Sequence, residues 1–226
     1  TLPYLFENAA HMDRAVAHGG ILDLINATTI RTGVRVLALV PIGPASGIFN
    51  TRKTITTAAD MGDLRVRALD ESQIALFKAW GTTGTIVSWK EVPNALQTGV
   101  ADGYINPIFV PVMFGHTDFI KYFTDAKVSV SARLALASED WYQSLSDDDR
   151  AKVEDAVAQA TAANREWLAG RLPDMRADAI AAGIEVTDLS AEARAEFVSL
   201  SRSVYTDGVL SAKQVAIWVN AADATK

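Results

Sequence analysis

Two arginines, Arg65 and Arg67, stand two residues apart in a stretch, Leu64 to Ala68, that alternates apolar and basic side chains. Such alternation is that of a short strand with one face buried and the other meeting water or a ligand. At a cleft, a strand arginine can grip a carboxylate through two parallel hydrogen bonds, a planar fork that lysine cannot form. The competing reading is an ion pair with a surface acid such as Asp63, and since Arg65 and Arg67 share parity, the residues alone do not choose between them. Farther along, Asn106 offers a donor and an acceptor beside Pro107, against the alternative of a turn-forming asparagine before proline. Trp89, Tyr104, Phe109 and Phe114 could all wall a pocket, although large aromatics also dominate cores. Tyr104 and Phe109 are selected because they flank the Asn-Pro corner.

Other chemistries find little support. Of His11, His18 and His116, only His116 has an acid near it at ligand-like spacing, Asp118, and that pattern is that of a capped loop. The run Asp147 to Asp149 points its carboxylates apart on a helix and is explained by a helix N-terminus. There is no nucleophile elbow, P-loop or dinucleotide glycine pattern, so no cofactor, metal or catalytic role is expected. Asn26-Ala27-Thr28 would be a glycosylation sequon only in a eukaryotic secretory setting. A net charge of -6 without any Lys/Arg-rich run argues against nucleic acid as a partner. Cysteine is absent, which excludes disulfides and thiolate chemistry. No apolar run approaches the roughly 20 residues that span a bilayer, and no charged n-region with an apolar stretch follows Thr1, so a soluble chain that is not a precursor is expected.

The elements that must position these residues are legible as β-α units. After the strand at Leu64, Asp70 or Ser72 caps a helix carrying Ile74, Phe77 and Trp80, which ends at Gly81. A second strand, Thr85 to Ser88, leads to a helix through Leu96 stopped by Gly99, and Asp102-Gly103 turns the chain into Tyr104. Upstream, Asn8 caps a helix to His18, Gly19-Gly20 interrupts it, and Ile21 to Ile30 resumes the helical pattern until Gly33. Val34 to Val40 reads as a strand buried on both faces of a parallel sheet. The breakers Pro41, Gly43, Pro44 and Gly47 mark a crossing between lobes or a loop lining a cleft. Downstream, Val128 to Ala137 reads as a strand returning to the first lobe and ending at Ser138. A long helix runs from a Ser146 cap to about Ala182, interrupted only by Pro173, and at 1.5 Å per residue its ~55 Å exceed a small domain, so it should touch both lobes. A last helix from Ser190 to about Thr206 ends at Asp207-Gly208, and an apolar turn at Ile217-Trp218 closes the chain.

The run from Leu64 to Pro107 carries a resemblance. The strand arginine in "LRVR", the segment "EVPNALQTGVADG" and the "NP" after it are similar to the DctP-type substrate-binding proteins of TRAP transporters, the tripartite ATP-independent periplasmic uptake systems. It extends from about Tyr4 to the C-terminal region. The resemblance implies an α/β, two-lobe periplasmic-binding-protein-like fold with a long helix crossing both lobes. Residues 1–44 and 133–172 would form one lobe, 45–132 and 173–226 the other, with the ligand cleft between them. It also implies that the family's N-terminal βαβ portion is missing, leaving a sheet edge unpaired. The function it implies is hinge closure on a small carboxylate, delivered to TRAP membrane permease subunits by a monomeric periplasmic receptor that is not an enzyme. Arg67 and Asn106 match the family's carboxylate ligands, which selects Arg67 over Arg65.

Two departures stand out: Tyr104-Ile105 replaces a polar Gln-Glu pair, and Ser46 stands near where many carboxylate-binding relatives carry an arginine. Fewer charges around the ligand favour a monocarboxylate with an apolar or hydroxylated body over a dicarboxylate or sialic acid. Ser46 therefore joins Arg67, Asn106, Tyr104 and Phe109 as a candidate site residue. An enzyme acting on small acids on similar lobes, or a ligand-sensing partner of a signalling receptor, are the alternatives.

Overall fold

The computed structural model describes residues 2–207 and 209–226. Helix α1 (Ala9–His18) starts where Asn8 accepts the His11 amide, and Gly20, at φ 59°, makes the left-handed turn into α2 (Ile21–Thr29). Strand β1 (Val34–Pro41) then pairs antiparallel with the later β7 (Ala132–Ser138) as a two-stranded sheet. The expected parallel strand buried on both faces is therefore not found. Most of β1 is only half-buried, because among the described residues β7 is its sole sheet partner, and Leu134 and Leu136 on β7 are about half exposed.

The larger sheet has six strands in the order β4-β3-β5-β2-β6-β8. They are β2 (Ser46–Asn50), β3 (Arg65–Ala68), β4 (Thr83–Ile86), β5 (Gly103–Asn106), β6 (Tyr122–Ser129) and β8 (Glu185–Asp188). β3 runs parallel to β4 and β5, β2 antiparallel to β5 and β6, and β6 parallel to β8. Helices α3 (Glu71–Ala79), α4 (Val92–Thr98) and the short α5 (Val110–Phe114) link these strands. Asp70 caps α3 by accepting the Ser72 and Gln73 amides, and Gly99, at φ 70°, stops α4, both as the sequence predicts.

Both faces of this sheet are covered, so on the basic face of β3 Arg65 still meets water while Arg67 does not. Ile48, Val66, Ala68 and Ile105 point into a core with Phe77, Trp80 and Phe197. Their strand neighbours Phe49 and Tyr104 point the opposite way, into a core with Phe123, Val92, Leu168 and Met175. Val66, Arg67 and Ala68 are consequently all buried. Gly103, expected in a turn, is instead the first residue of β5. A Cβ there would lie 1.8 Å from the Phe49 carbonyl oxygen, so glycine is what lets β5 approach β2. The second β-α strand is an edge strand lying two residues earlier than predicted.

The two sheets are joined by two short crossings. Residues 42–45 lead from β1 to β2, as the breaker density predicts, and residues 130–131 lead from β6 to β7, so the single strand expected from Val128 to Ala137 is two strands. The crossings lie side by side: the Ile42 amide donates to the Ser131 carbonyl at 3.2 Å, and the Ser46 and Ser131 hydroxyls share a hydrogen bond of 3.2 Å.

After the short α6 (Glu139–Ser144), the long helix α7 (Asp147–Ala181) is continuous through Pro173, and Ser146 caps it by accepting the Asp149 amide. It packs on both sheets. Asn164 donates to the Pro41 carbonyl at 2.8 Å, Arg165 pairs with Asp13, and farther down Leu168, Met175 and Ala179 enter the core of the six-stranded sheet. The predicted final helix is divided into α8 (Ala191–Ser201) and α9 (Val204–Asp207); Gly208, its expected stop, lies outside the described residues. The expected turn at Ile217-Trp218 is a twelve-residue helix, α10 (Ala212–Asp223), packed against α1 and α2 through Ala221, Ala15 and Ile21. Its signal is a capping box in which Ser211 and Gln214 satisfy each other's backbone amides.

Candidate functional site: a buried arginine without a counter-charge

Arg65 and Arg67 project from the same face of β3 with opposite outcomes. Arg65 donates through Nε and Nη2 to both oxygens of Asp102, at 3.0 and 2.9 Å, and its amide donates to the same carboxylate at 2.8 Å. Burial alone would push the Asp102 carboxyl up, but these bonds hold it below the usual range. Asp63, the acid expected to compete for an arginine here, pairs with Arg52 and Lys53.

Arg67 is 5% exposed. Its Nε donates to the Val87 carbonyl at 2.8 Å, and its guanidinium carbon lies 5.6 Å from the centre of the Trp89 ring. No carboxylate among the described residues forms an ion pair with it. Burial pulls its pKa down, opposed in part by the more distant charge of Asp70. A cation kept this dry without a partner is costly unless a ligand supplies the anion. The Arg67–Trp89 contact also weakly shields the charge through the ring face.

The remaining candidates fall in three places. Asn106 ends β5, half-buried, and its amide makes no side-chain hydrogen bond among the described residues. β5 pairs with β3 at Arg67 and Tyr104, so Asn106 lies on the Arg67 face, and strand geometry sets its Cα about 8 Å from that of Arg67. Tyr104 is fully buried and donates no surface to a pocket; its hydroxyl hydrogen-bonds His116 Nδ1 at 3.1 Å. Phe109 packs beneath the first crossing, where a Cβ on Gly43 would lie 2.6 Å from its ring. Ser46, 3% exposed, is engaged with Ser131 at the crossings. Thus Arg67, Tyr104 and Asn106 share one face, with Tyr104 fully buried between them, and Phe109 and Ser46 belong to the junction of the sheets.

Sequence reasoning did not select Trp89. It sits on a single 3-10 turn, Trp89–Glu91, just after β4, with Phe114, His116 and Tyr104 around its ring at 5.2 to 5.7 Å. Its position right after the strand that pairs with the arginine strand is the signal that could have found it. Two surface hollows, of about 380 and 330 Å³, are lined mostly by apolar residues such as Val204, Leu210, Phe6 and Trp218 and do not include Arg67. Among the described residues no cluster of His, Asp or Glu could hold a metal ion, and no helix is long and apolar enough to cross a membrane.

Residues 1–210 match the family model for bacterial extracellular solute-binding proteins, family 7, the DctP family. The chain belongs to this family. It is 30% identical over 156 residues, 69% of its length, to the ectoine-binding periplasmic protein TeaA of Halomonas elongata, covering 45% of that protein. It is 27% identical to the ectoine/5-hydroxyectoine-binding periplasmic protein UehA of Ruegeria pomeroyi over 70% of its length and 47% of that protein. The chain thus spans about half the length of these curated relatives. In fold, it superposes along its whole length on 74% of a TRAP periplasmic solute-binding protein from Roseobacter denitrificans with bound β-D-glucuronate, at TM-score 0.90 and 24% identity. A second, from Shewanella oneidensis with bound succinate, matches 98% of this chain and 73% of its own at TM-score 0.86 and 19% identity. The α/β fold with a long helix is therefore that of the TRAP solute-binding proteins, and the family's members are solute binders of transporters.

Proposed function

We propose that this chain carries the ligand-binding part of a periplasmic receptor for a small organic acid, which closes on its ligand and delivers it to TRAP membrane permease subunits. The observation that carries this reading is Arg67, buried beside Trp89 with no ion pair to a carboxylate among the described residues. Arg67 takes the ligand carboxylate, Asn106 assists from the same sheet face, and Trp89 lies against the ligand body. With no second unpaired cation assigned to the site, a monocarboxylate fits better than a dicarboxylate; ectoine, named for two relatives, and uronates, bound in several structural neighbours, both meet this condition.

Closure is assigned to the paired crossings at 42–45 and 130–131, between a lobe of residues 1–44 and 133–172 and a lobe of 45–132 and 173–226, with α10 reaching back onto α1. A ligand that touches both lobes binds the closed state more tightly and shifts the population toward it. The receptor acts as a monomer.

The test is a thermal-shift screen over carboxylates that include ectoine, D-glucuronate and succinate, on the wild type and on Arg67→Gln. A ligand at a hundred times its dissociation constant adds about 2.7 kcal/mol, or roughly 5–10 °C for a chain of this size. The reading predicts such a rise in the wild type and none in Arg67→Gln. It is overturned if no acid shifts the wild type, or if both proteins shift equally.

A further inference from the structure

Beside Arg67, on the neighbouring strand, lies a buried polar pair that anion binding does not itself require. Tyr104 is fully buried and His116 is 3% exposed, and among the described residues the only side-chain hydrogen bond of either is the one between them, 3.1 Å from the hydroxyl to Nδ1. Two polar groups in an otherwise aromatic environment are stable there only as a satisfied pair, since stranding either one costs its desolvation. Burial pushes the His116 pKa down, so the ring is neutral and one partner donates while the other accepts. The His116 backbone is fixed as well: its amide donates to the Pro111 carbonyl, and its carbonyl accepts from the Phe119 and Ile120 amides.

Both members of the pair touch Trp89. The Tyr104 ring meets Trp89 edge-on at 5.7 Å between centres, and His116 lies against it at 5.2 Å. Trp89 in turn carries the Arg67 guanidinium over its face. Tyr104 is also the β-ladder partner of Arg67, so the pair is tied to the arginine through the sheet as well as through the ring. A guanidinium with one hydrogen bond to protein can rotate about its remaining torsions, and the fork binds an anion well only when its plane is fixed beforehand.

We propose, resting on the reading of Arg67 as the anion site, that the Tyr104–His116 hydrogen bond positions Trp89 and through it the Arg67 guanidinium, so that this pair sets how well the site captures an anion. His116 and Tyr104 are positioning residues here and do not touch the ligand.

Iodide provides a probe that needs no knowledge of the ligand, because it is an anion that quenches indole fluorescence on contact. The Trp89 emission is taken as the difference between each protein and its Trp89→Phe counterpart, and quenching by iodide is divided by quenching by neutral acrylamide. The wild type should show a high iodide preference that Arg67→Gln abolishes. Tyr104→Phe and His116→Phe keep a ring in place but remove the bond, and each should lower the preference about fivefold, the scale of one neutral hydrogen bond. His116→Asn, whose amide can occupy the Nδ1 position, should restore most of it.

If Tyr104→Phe and His116→Phe keep the wild-type preference while Arg67→Gln loses it, the positioning role is overturned and the anion site stands. A His116→Asn protein as impaired as His116→Phe would assign the effect to ring packing and likewise overturn the hydrogen bond's role. Should Arg67→Gln keep the preference, the anion site itself falls. Melting curves check that each variant is folded; if His116→Phe does not fold, Tyr104→Phe alone decides.

Discussion

Two positions of strand β3 hold the same side chain in opposite states. At the first, Arg65 is about half exposed and forked onto Asp102, a carboxylate that is itself buried. At the other, Arg67 is buried, hydrogen-bonded once, and set against an aromatic ring. Two residues of one strand thus separate a charge satisfied within the fold from a charge that is buried with no ion pair among the described residues. Charge satisfaction, and not charge or strand position, distinguishes them. A folded protein retains a dry, unpaired cation against its own stability where a ligand requires it.

Variants along the strands that carry both positions break this comparison in order of size. Gly103→Ala should have the largest effect, because a Cβ 1.8 Å from the Phe49 carbonyl oxygen forces β5 away from β2 and displaces Asp102, Tyr104 and Asn106 together. A loss beyond about 4 kcal/mol is expected, seen as failure to fold or a collapse of the melting temperature. A well-folded Gly103→Ala protein would mean that β5 can shift without harm.

Asp102→Asn should come next, at about 2 kcal/mol for lost hydrogen bonds to a charged group, with anion binding at Arg67 unchanged. Its pH dependence has a definite sign. The folded Asp102 carboxyl lies below its unfolded value, so its stabilisation is fully present above the ordinary carboxylate range and is lost as pH falls through the folded value. Chemical denaturation against pH should therefore show an acid limb in the wild type that Asp102→Asn flattens. Arg65→Lys, which keeps the charge at a half-exposed arginine, should cost less than Asp102→Asn and leave anion affinity within a few-fold of wild type.

Much of this arrangement can be read from the sequence, and the limits have physical causes. The caps at Asn8, Asp70 and Ser146 and the stop at Gly99 are local signals, and the structure places each where the residues indicate. The long helix is legible for the same reason. What fails is anything fixed by distant partners. Val34 to Val40 looks like an interior parallel strand, but a nearly continuous apolar run does not reveal which strand will pair with it. Gly103 resembles a turn residue because sequence shows its flexibility and not the carbonyl that presses against it. The helix at Ala212 is signalled by the capping box of Ser211 and Gln214, but the apolar pair Ile217-Trp218 near the chain's end reads more readily as a turn.

At the site, the choice of Arg67 over Arg65 came from family resemblance, since parity is identical. The fork onto Asp102, 37 residues away, is invisible until the sheet is assembled. The same assembly buries Tyr104 beside Arg67 and brings Trp89 into the site.

The central claim is that Arg67 is held for a ligand and Arg65 for the fold, and ligand-free thermal stability separates the two directly. Methionine fills a similar space without a charge, so the comparison is between Arg67→Met and Arg65→Met, each melted in the absence of any organic acid. Arg65→Met strands the buried Asp102 carboxylate and should melt clearly below the wild type. Arg67→Met relieves an unpaired buried charge at the expense of one hydrogen bond and one ring contact, and should melt at or above the wild-type temperature. If Arg67→Met instead melts as low as Arg65→Met, Arg67 is a structural residue and the account is contradicted.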